Sequence, residues 1–397
     1  MKLTFENLYF GYEKEKIKVI FLKIFYFYMD KSSLKKISDF KVDKNSITFK
    51  DDSEKKVKNK FNILLEKGFS NLKNKMNNKK TIYIHQNSGI PLIGSLYFGI
   101  VDKGSSIIEV KPNTSCNLNC IFCSVDEGIS SKKITDFVFE KDYLVDGLKR
   151  LIEYKGTKVD ICINPHGEPL LYADLVPLIN DISKIKNVGI ISIITNGTLL
   201  TESYIDDLKK AGLTQINLSI NSLDPNLAKK IEGTKYYNLN HVKDIINLIR
   251  KEKINLFLAP VYLKGINDKE IEKLIEFAKE IDCKILIQNF LLNKHGRNPV
   301  KGLEMDSFFN MLKNLEIKHK TKLVLGDCGV IKTKELPLPF KKGDIIKARI
   351  VCEGRSKGEK LAVSNNRVIS IPKCNKKGII SIRITRDKYN IFYGESV

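Results

Sequence analysis

Between residues 106 and 292 short apolar runs alternate with longer amphipathic stretches. The runs SIIEVKP (106–112), KVDICIN (158–164), GIISIITNG (189–197), LTQINLSIN (213–221), INLFLAPVYL (254–263) and CKILIQNFLL (283–292) are β-branched and bounded by turn residues. Each predicts a strand. Between them, FEKDYLVDGLKRLIEYKG, YADLVPLINDISKIKNVG, TESYIDDLKKAG, residues 225–251 and NDKEIEKLIEFAKEID carry apolar residues at helical spacing. Thr201 and Asn267 are expected N-caps, and Gly156, Gly189 and Gly212 expected C-terminal stops. Such alternation predicts parallel βα units. They would close into a barrel or partial barrel, or stay open as a doubly wound sheet. In either case the loops at the carboxyl ends of the strands carry the site.

The flanks follow other patterns. The run IKVIFLKIFYFYM (17–29) holds two lysines and is too short to span a bilayer, so it reads as strand. A further strand near 46–50 and an amphipathic helix near 54–75 complete an N-terminal α+β segment. From Leu336 the stretch LPLPFKKGD is a Pro-marked linker. After it, IIKARIVCEG, KLAVSNNRVISIP and GIISIRITRDKYNIFYG alternate without helical period. They predict a small all-β barrel of about five strands. The expected division is 1–95, 96–335 and 336–397.

Composition adds little about fold and more about partners. The 397 residues are 42% hydrophobic and 29% charged, an ordinary globular balance. No basic start followed by an apolar block and a cleavage site opens the chain, so a cytoplasmic protein without membrane contact is expected. The net charge is +22 and unevenly spread. Residues 1–95 hold 20 Lys and Arg against 10 Asp and Glu, residues 337–397 hold 14 against 5, and the middle is nearly balanced. Basic flanks around a balanced centre point to a polyanionic partner. A merely lysine-rich composition is the plain alternative.

Eight cysteines in so long a chain are no disulfide framework. Three fall in TSCNLNCIFCSVDEG (114–128), as Cys116, Cys120 and Cys123 with spacing C-x3-C-x2-C. A 4Fe-4S cluster has four irons to ligate; three thiolates leave one open for a substrate or cofactor. Zinc sites usually show two paired ligand groups, and no His or Cys follows closely enough to complete one. Cys162 and Cys283 sit in predicted strands as small core residues. No C-x2-C pair occurs among Cys328, Cys352 and Cys374, which argues against a second cluster.

This loop after the first strand of a βα series resembles the radical S-adenosylmethionine (radical SAM) superfamily, over about residues 105–300. NPHGEP (164–169) is similar to that superfamily's Gly-Gly-Glu-Pro motif, which holds the amino group of SAM. His166 replaces the first glycine, so Gly167, Glu168 and Pro169 are carried over. ITNG supplies Thr195 and Asn196, and LSINS supplies Ser219 and Asn221 for the ribose and carboxylate. ILIQNF places Gln288 by the adenine, as does Phe122 before the third cysteine. Taken singly, each of these motifs also reads as an ordinary turn or strand. Together they imply an α/β fold, a partial (β/α)6 barrel between the N-terminal α+β extension and the C-terminal all-β barrel. They also imply a 4Fe-4S cluster, SAM, and reductive cleavage to a 5′-deoxyadenosyl radical, with a ferredoxin or flavodoxin as electron donor. His166 is an acid/base candidate, and Cys328 a candidate catalytic thiol of the kind some methylating members use.

Residues 337–397 resemble a TRAM domain, an OB-like RNA-binding barrel, in GDIIKARI, RVISIP and GIISIRITRDKYNIFYG. Lys347, Arg349, Arg355, Lys357, Arg383 and Arg386 are the candidate phosphate contacts. The expected function is a transferase that modifies RNA, tRNA first, with methylation one outcome. Sulfur insertion through an auxiliary cluster is disfavoured, because residues 1–115 contain no cysteine. The alternatives are a radical SAM enzyme acting on a small molecule, lipid or peptide, with the barrel used for assembly, and a non-enzymatic iron–sulfur or zinc RNA-binding protein.

Overall fold

Six strands run parallel in one sheet, in chain order: Ile107–Lys111, Val159–Ile163, Val188–Thr195, Gln215–Leu218, Asn255–Leu258 and Lys284–Ile285. The computed structural model describes residues 1–50, 53–324 and 329–397. A doubly wound sheet reverses its strand order at a switch point. This one does not, so right-handed crossovers put every helix on the same face. The result is a singly wound, open barrel. An antiparallel strand, Gly99–Asp102, covers the edge beside Ile107–Lys111.

The crossover helices bury single stripes. Leu239–Lys251 turns Leu239, Val242, Ile245, Ile246 and Ile249 inward at helical spacing, and Asn238 caps it by accepting from the His241 amide at 3.1 Å. Thr201 caps Glu202–Lys210 as expected, accepting from the Tyr204 amide at 3.2 Å. Asn267 stands before Asp268–Glu280, but its side chain accepts from the Leu263 amide instead of capping the helix. The helix expected to run to Gly189 stops at Ser183. The fifth strand breaks at Pro260, which has no N–H to give the ladder. It resumes as Val261–Tyr262, paired with Gln288–Asn289.

The apolar run 17–29 is two strands, Lys16–Phe21 and Phe25–Asp30, turned by Leu22 and Lys23 at φ 46° and 66°. Their sheet takes in Leu8–Glu13, Lys73–Asn74 and Lys80–Ile84, and then a strand from the middle of the chain, Thr135–Phe139, parallel to Lys80–Ile84. The boundary expected at residue 95 is thus crossed by strand pairing. Helix Glu54–Ser70 buries Val57 and Phe61, the Phe61 ring against those of Phe5 and Phe49, and ends before residue 75.

Residues 345–396 form a closed barrel of five strands: Ile345–Glu353, Lys360–Ser364, Arg367–Ile371, Phe392–Ser396 and Ile379–Arg386 in spatial order. Its own core holds Ala362, Ile369, Ile382 and Phe392. The barrel is not loosely tethered. Leu361 and Val368 belong to the main core, and the Val368 and Phe392 amides bond the carbonyls of Ile93 and Gly94 at 2.9 Å. Among the described residues no helix is long and apolar enough to cross a membrane.

Candidate functional site

At the carboxyl ends of the parallel strands lies a cavity of about 520 Å³. Cys116, Cys120, Cys123, Phe122, Gly167, Glu168, Thr195, Asn196, Ser219 and Gln288 all line it. Residues drawn from five separate strand ends therefore meet in one place. Its size suits a cofactor-sized ligand.

The cysteine loop is held rigidly from several sides. The Asn119 and Ile121 amides bond the carbonyls of Glu232 and Ile231 at 3.1 and 2.9 Å. A Cβ on Gly233 would overlap the Asn119 carbonyl, so only glycine allows this approach. Arg297, from the loop after the sixth strand, spans the tip. Its Nε donates to Asp126 Oδ1 at 2.8 Å, and its two terminal nitrogens to the carbonyls of Cys120 and Glu127 at 3.1 and 2.7 Å. The Glu127 amide in turn donates to Cys123 Sγ at 3.3 Å.

Burial pushes the Cys116 thiol up to about 12 and raises Cys120 and Cys123 as well. Buried thiols of this kind ionise when a cation takes the proton's place. Cys120 Sγ donates to Glu232 Oε2 at 2.9 Å, and Asn221 holds the other carboxylate oxygen at 2.7 Å. Among the described residues no three Cys, His, Asp or Glu side chains converge closely enough for one metal ion.

Glu168 braces the neighbouring loop. Its carboxylate accepts from Thr195 Oγ1 at 2.5 Å, the Asn196 amide at 3.0 Å and the Leu170 amide at 3.1 Å. Burial pushes its acid up to about 7 against these bonds. Gly167 lies on the backbone just before the first cysteine: an added Cβ would overlap the Ser115 carbonyl, to which the Glu168 amide bonds at 2.8 Å.

Three expectations change. His166 is not in the cavity; its ring packs edge-on against Tyr97 at 5.7 Å, and burial holds it well below the usual imidazole range. Asn221 also turns away from the cavity, spent on Glu232 and on the Val261 amide at 2.8 Å. Arg355 is 1% exposed and ion-paired to Glu127 and Asp136, so it cannot meet a phosphate. Pro169 is buried and starts a short turn beside the cavity. Cys328 lies outside the described residues. Lys347, Arg349, Lys357, Arg383 and Arg386 are exposed on the C-terminal barrel, away from the cavity.

Arg297, Glu127 and Glu232 were not among the expected site residues. One signal existed for the first: the chain has eight arginines among 68 basic residues. Where lysine is the default, an arginine marks a need for the planar fork.

Known proteins resemble this chain. An uncharacterized protein of Methanocaldococcus jannaschii is 40% identical over 362 residues, 83% of this chain and 83% of that protein. A GTP 3′,8-cyclase of Campylobacter jejuni subsp. doylei is 30% identical over 229 residues, 57% of this chain and 68% of the cyclase. The radical SAM superfamily description matches residues 110–278. The chain belongs to the radical SAM superfamily. Streptococcus suis SuiB bound to S-adenosylmethionine aligns over 81% of this chain and 71% of SuiB at 16% identity and TM-score 0.43.

A radical SAM enzyme uses a 4Fe-4S cluster and SAM, and the residues here fit both. Cys116, Cys120 and Cys123 would hold the cluster. The Gly167–Glu168 turn, Thr195, Ser219 and Gln288 would line the place of SAM, with the Phe122 ring beside it.

Proposed function

We propose that this radical SAM enzyme modifies RNA, with tRNA the first candidate. When bound, cluster and SAM together supply a 5′-deoxyadenosyl radical that takes a hydrogen atom from the substrate. The protein's part is to fix the thiols, seat SAM against the braced Gly167–Glu168 turn and keep water from the cavity.

The observation that carries the RNA reading is the outward face of the C-terminal barrel. Strands Ile345–Glu353 and Ile379–Arg386 pair with Ile345 opposite Arg383 and Lys347 opposite Ser381. Lys347, Arg349 and Arg383 therefore share one exposed face, and none has an ion-pair partner among the described residues. Unpaired cations on one face suit a phosphate backbone. The N-terminal sheet adds Lys18, 5.0 and 5.7 Å from the rings of Tyr26 and Tyr28, the mixture of charge and aromatics that single strands favour. The TRAM likeness in the sequence agrees with this use.

A second reading keeps the chemistry and changes the substrate to a small molecule or peptide. One observation favours it. OB-type barrels usually bind through their second and third strands and the loop between the first two. Here those strands pack on the main core.

Two measurements separate the readings. Nucleoside mass spectrometry of tRNA from a deletion strain should lack one modified nucleoside; an unchanged profile in all RNA removes the first reading. Lys347→Glu, Arg349→Glu and Arg383→Glu combined should weaken tRNA binding and reduce the log–log salt slope by about 2–3, at about 0.9 for each phosphate left without its cation. An unchanged slope would place the RNA on another face.

A further inference from the structure

We infer that Arg355, carried by the C-terminal barrel, is a positioning residue for the cysteine loop, so that the barrel is part of the cluster site. The inference does not depend on RNA being the substrate.

The loop holding the three thiols leaves one strand and enters another, and Arg355 joins its two ends. One terminal nitrogen shares its two N–H groups among Thr114 Oγ1 at 2.9 Å, two residues before Cys116, Asp136 Oδ1 at 2.8 Å and the Thr135 carbonyl on the exit strand. The other pairs with Glu127, four residues after Cys123. Arg355, Glu127 and Asp136 are each at most 3% exposed. The chain also pairs here through its backbone, the Ile134 amide bonding the Arg355 carbonyl at 2.9 Å.

Two features make this more than packing. The partners lie on different sides of the guanidinium, which a planar fork can reach and the single nitrogen of lysine cannot. Glu127 also links the arginine to the metal ligand, because its amide donates to Cys123 Sγ at 3.3 Å. Hydrogen bonds to ligating sulfurs are one of the protein's levers on cluster potential. Removing Arg355 strands a buried carboxylate on the residue that makes this bond. The barrel loop is shaped for the purpose: Glu359 ties it shut by accepting from the Ser356 amide at 3.0 Å, which aims Arg355 inward.

The test uses the full chain, reconstituted anaerobically with iron and sulfide. Its readouts are iron per chain, the midpoint potential followed by electron paramagnetic resonance, and thermal melting. Arg355→Lys should load iron and melt as a folded protein, with its potential shifted to more negative values. Arg355→Met should lose about half its iron or more, within the range for outer-shell partners. Adding Glu127→Gln to Arg355→Met should restore part of the iron loading, because the residue that bonds Cys123 then carries no stranded carboxylate, while Asp136 keeps its bonds from Asn74 and Asn77. Ile382→Ala, in the barrel core away from the loop, is the comparison. It should lower the melting temperature and leave the potential unchanged. Wild-type potential and iron in both Arg355 variants would overturn the inference. So would an equal shift of potential in Ile382→Ala, since Arg355 would then act only through stability.

Discussion

Replacing Cys116, Cys120 or Cys123 singly with alanine should abolish iron retention and 5′-deoxyadenosine formation. Outer-shell partners of a metal cost about 10–100-fold when removed, and a direct ligand should cost more than that. The three positions should be equivalent, because each lines the same cavity. Glu232 lies 2.9 Å from Cys120 but is committed to Asn221 as well, so it should not rescue Cys120→Ala. The comparison is Cys162→Ala. Cys162 sits on strand Val159–Ile163, away from the cavity, and should keep full iron. Cys374→Ala should also keep its iron, being 1% exposed in the barrel core. The measurement is iron and sulfide per chain, with 5′-deoxyadenosine formed from SAM and dithionite. Full iron in any of the three loop variants would undo the assignment, and iron loss in Cys352→Ala or Cys374→Ala would show a second cluster.

The chemistry of the loop was legible because it is local. Three thiols within eight positions, Gly167 and Glu168 in a turn after a strand, and Thr195 at a strand's end need no knowledge of long-range packing. Asn221 was carried over with Ser219 from the LSINS likeness, but the strand ends at Leu218 and the Asn221 side chain is spent on Glu232 and the Val261 amide. Thr135–Phe139 was hidden because all five of its residues are buried, which leaves no alternation, and it is squeezed between a loop and a helix. Arg355 could not be read at all. Its partner Glu127 is 228 positions away, and charge counting sees only one more cation on a basic barrel. The same count set Arg355 among the exposed cations of the barrel, while its side chain is buried against the cysteine loop.

The choice of glycine at position 167, and its absence at 166, leads to the second large effect. Gly167→Ala should weaken SAM binding by about 5- to 150-fold, from the roughly 1–3 kcal/mol that overpacking costs in a tight site. The added methyl group meets the Ser115 carbonyl, which is backbone and cannot rotate away. The turn must lift, and Glu168 lifts with it, loosening its bonds to Thr195 and Asn196 that join the ends of two neighbouring strands. Because Ser115 directly precedes Cys116, part of the strain falls on the cysteine loop, and some iron should be lost as well. His166→Gly restores the glycine pair of the family motif and should do much less. Its ring lies outside the cavity against Tyr97, and losing an edge contact of about 0.5–1.5 kcal/mol should lower the melting temperature. SAM affinity should stay within about twofold. Equilibrium binding of SAM to the reconstituted protein, read beside thermal melting, separates the two positions. If His166→Gly changed SAM affinity as much as Gly167→Ala, the imidazole would have to reach the cofactor, and the cavity would extend past Tyr97 toward the barrel.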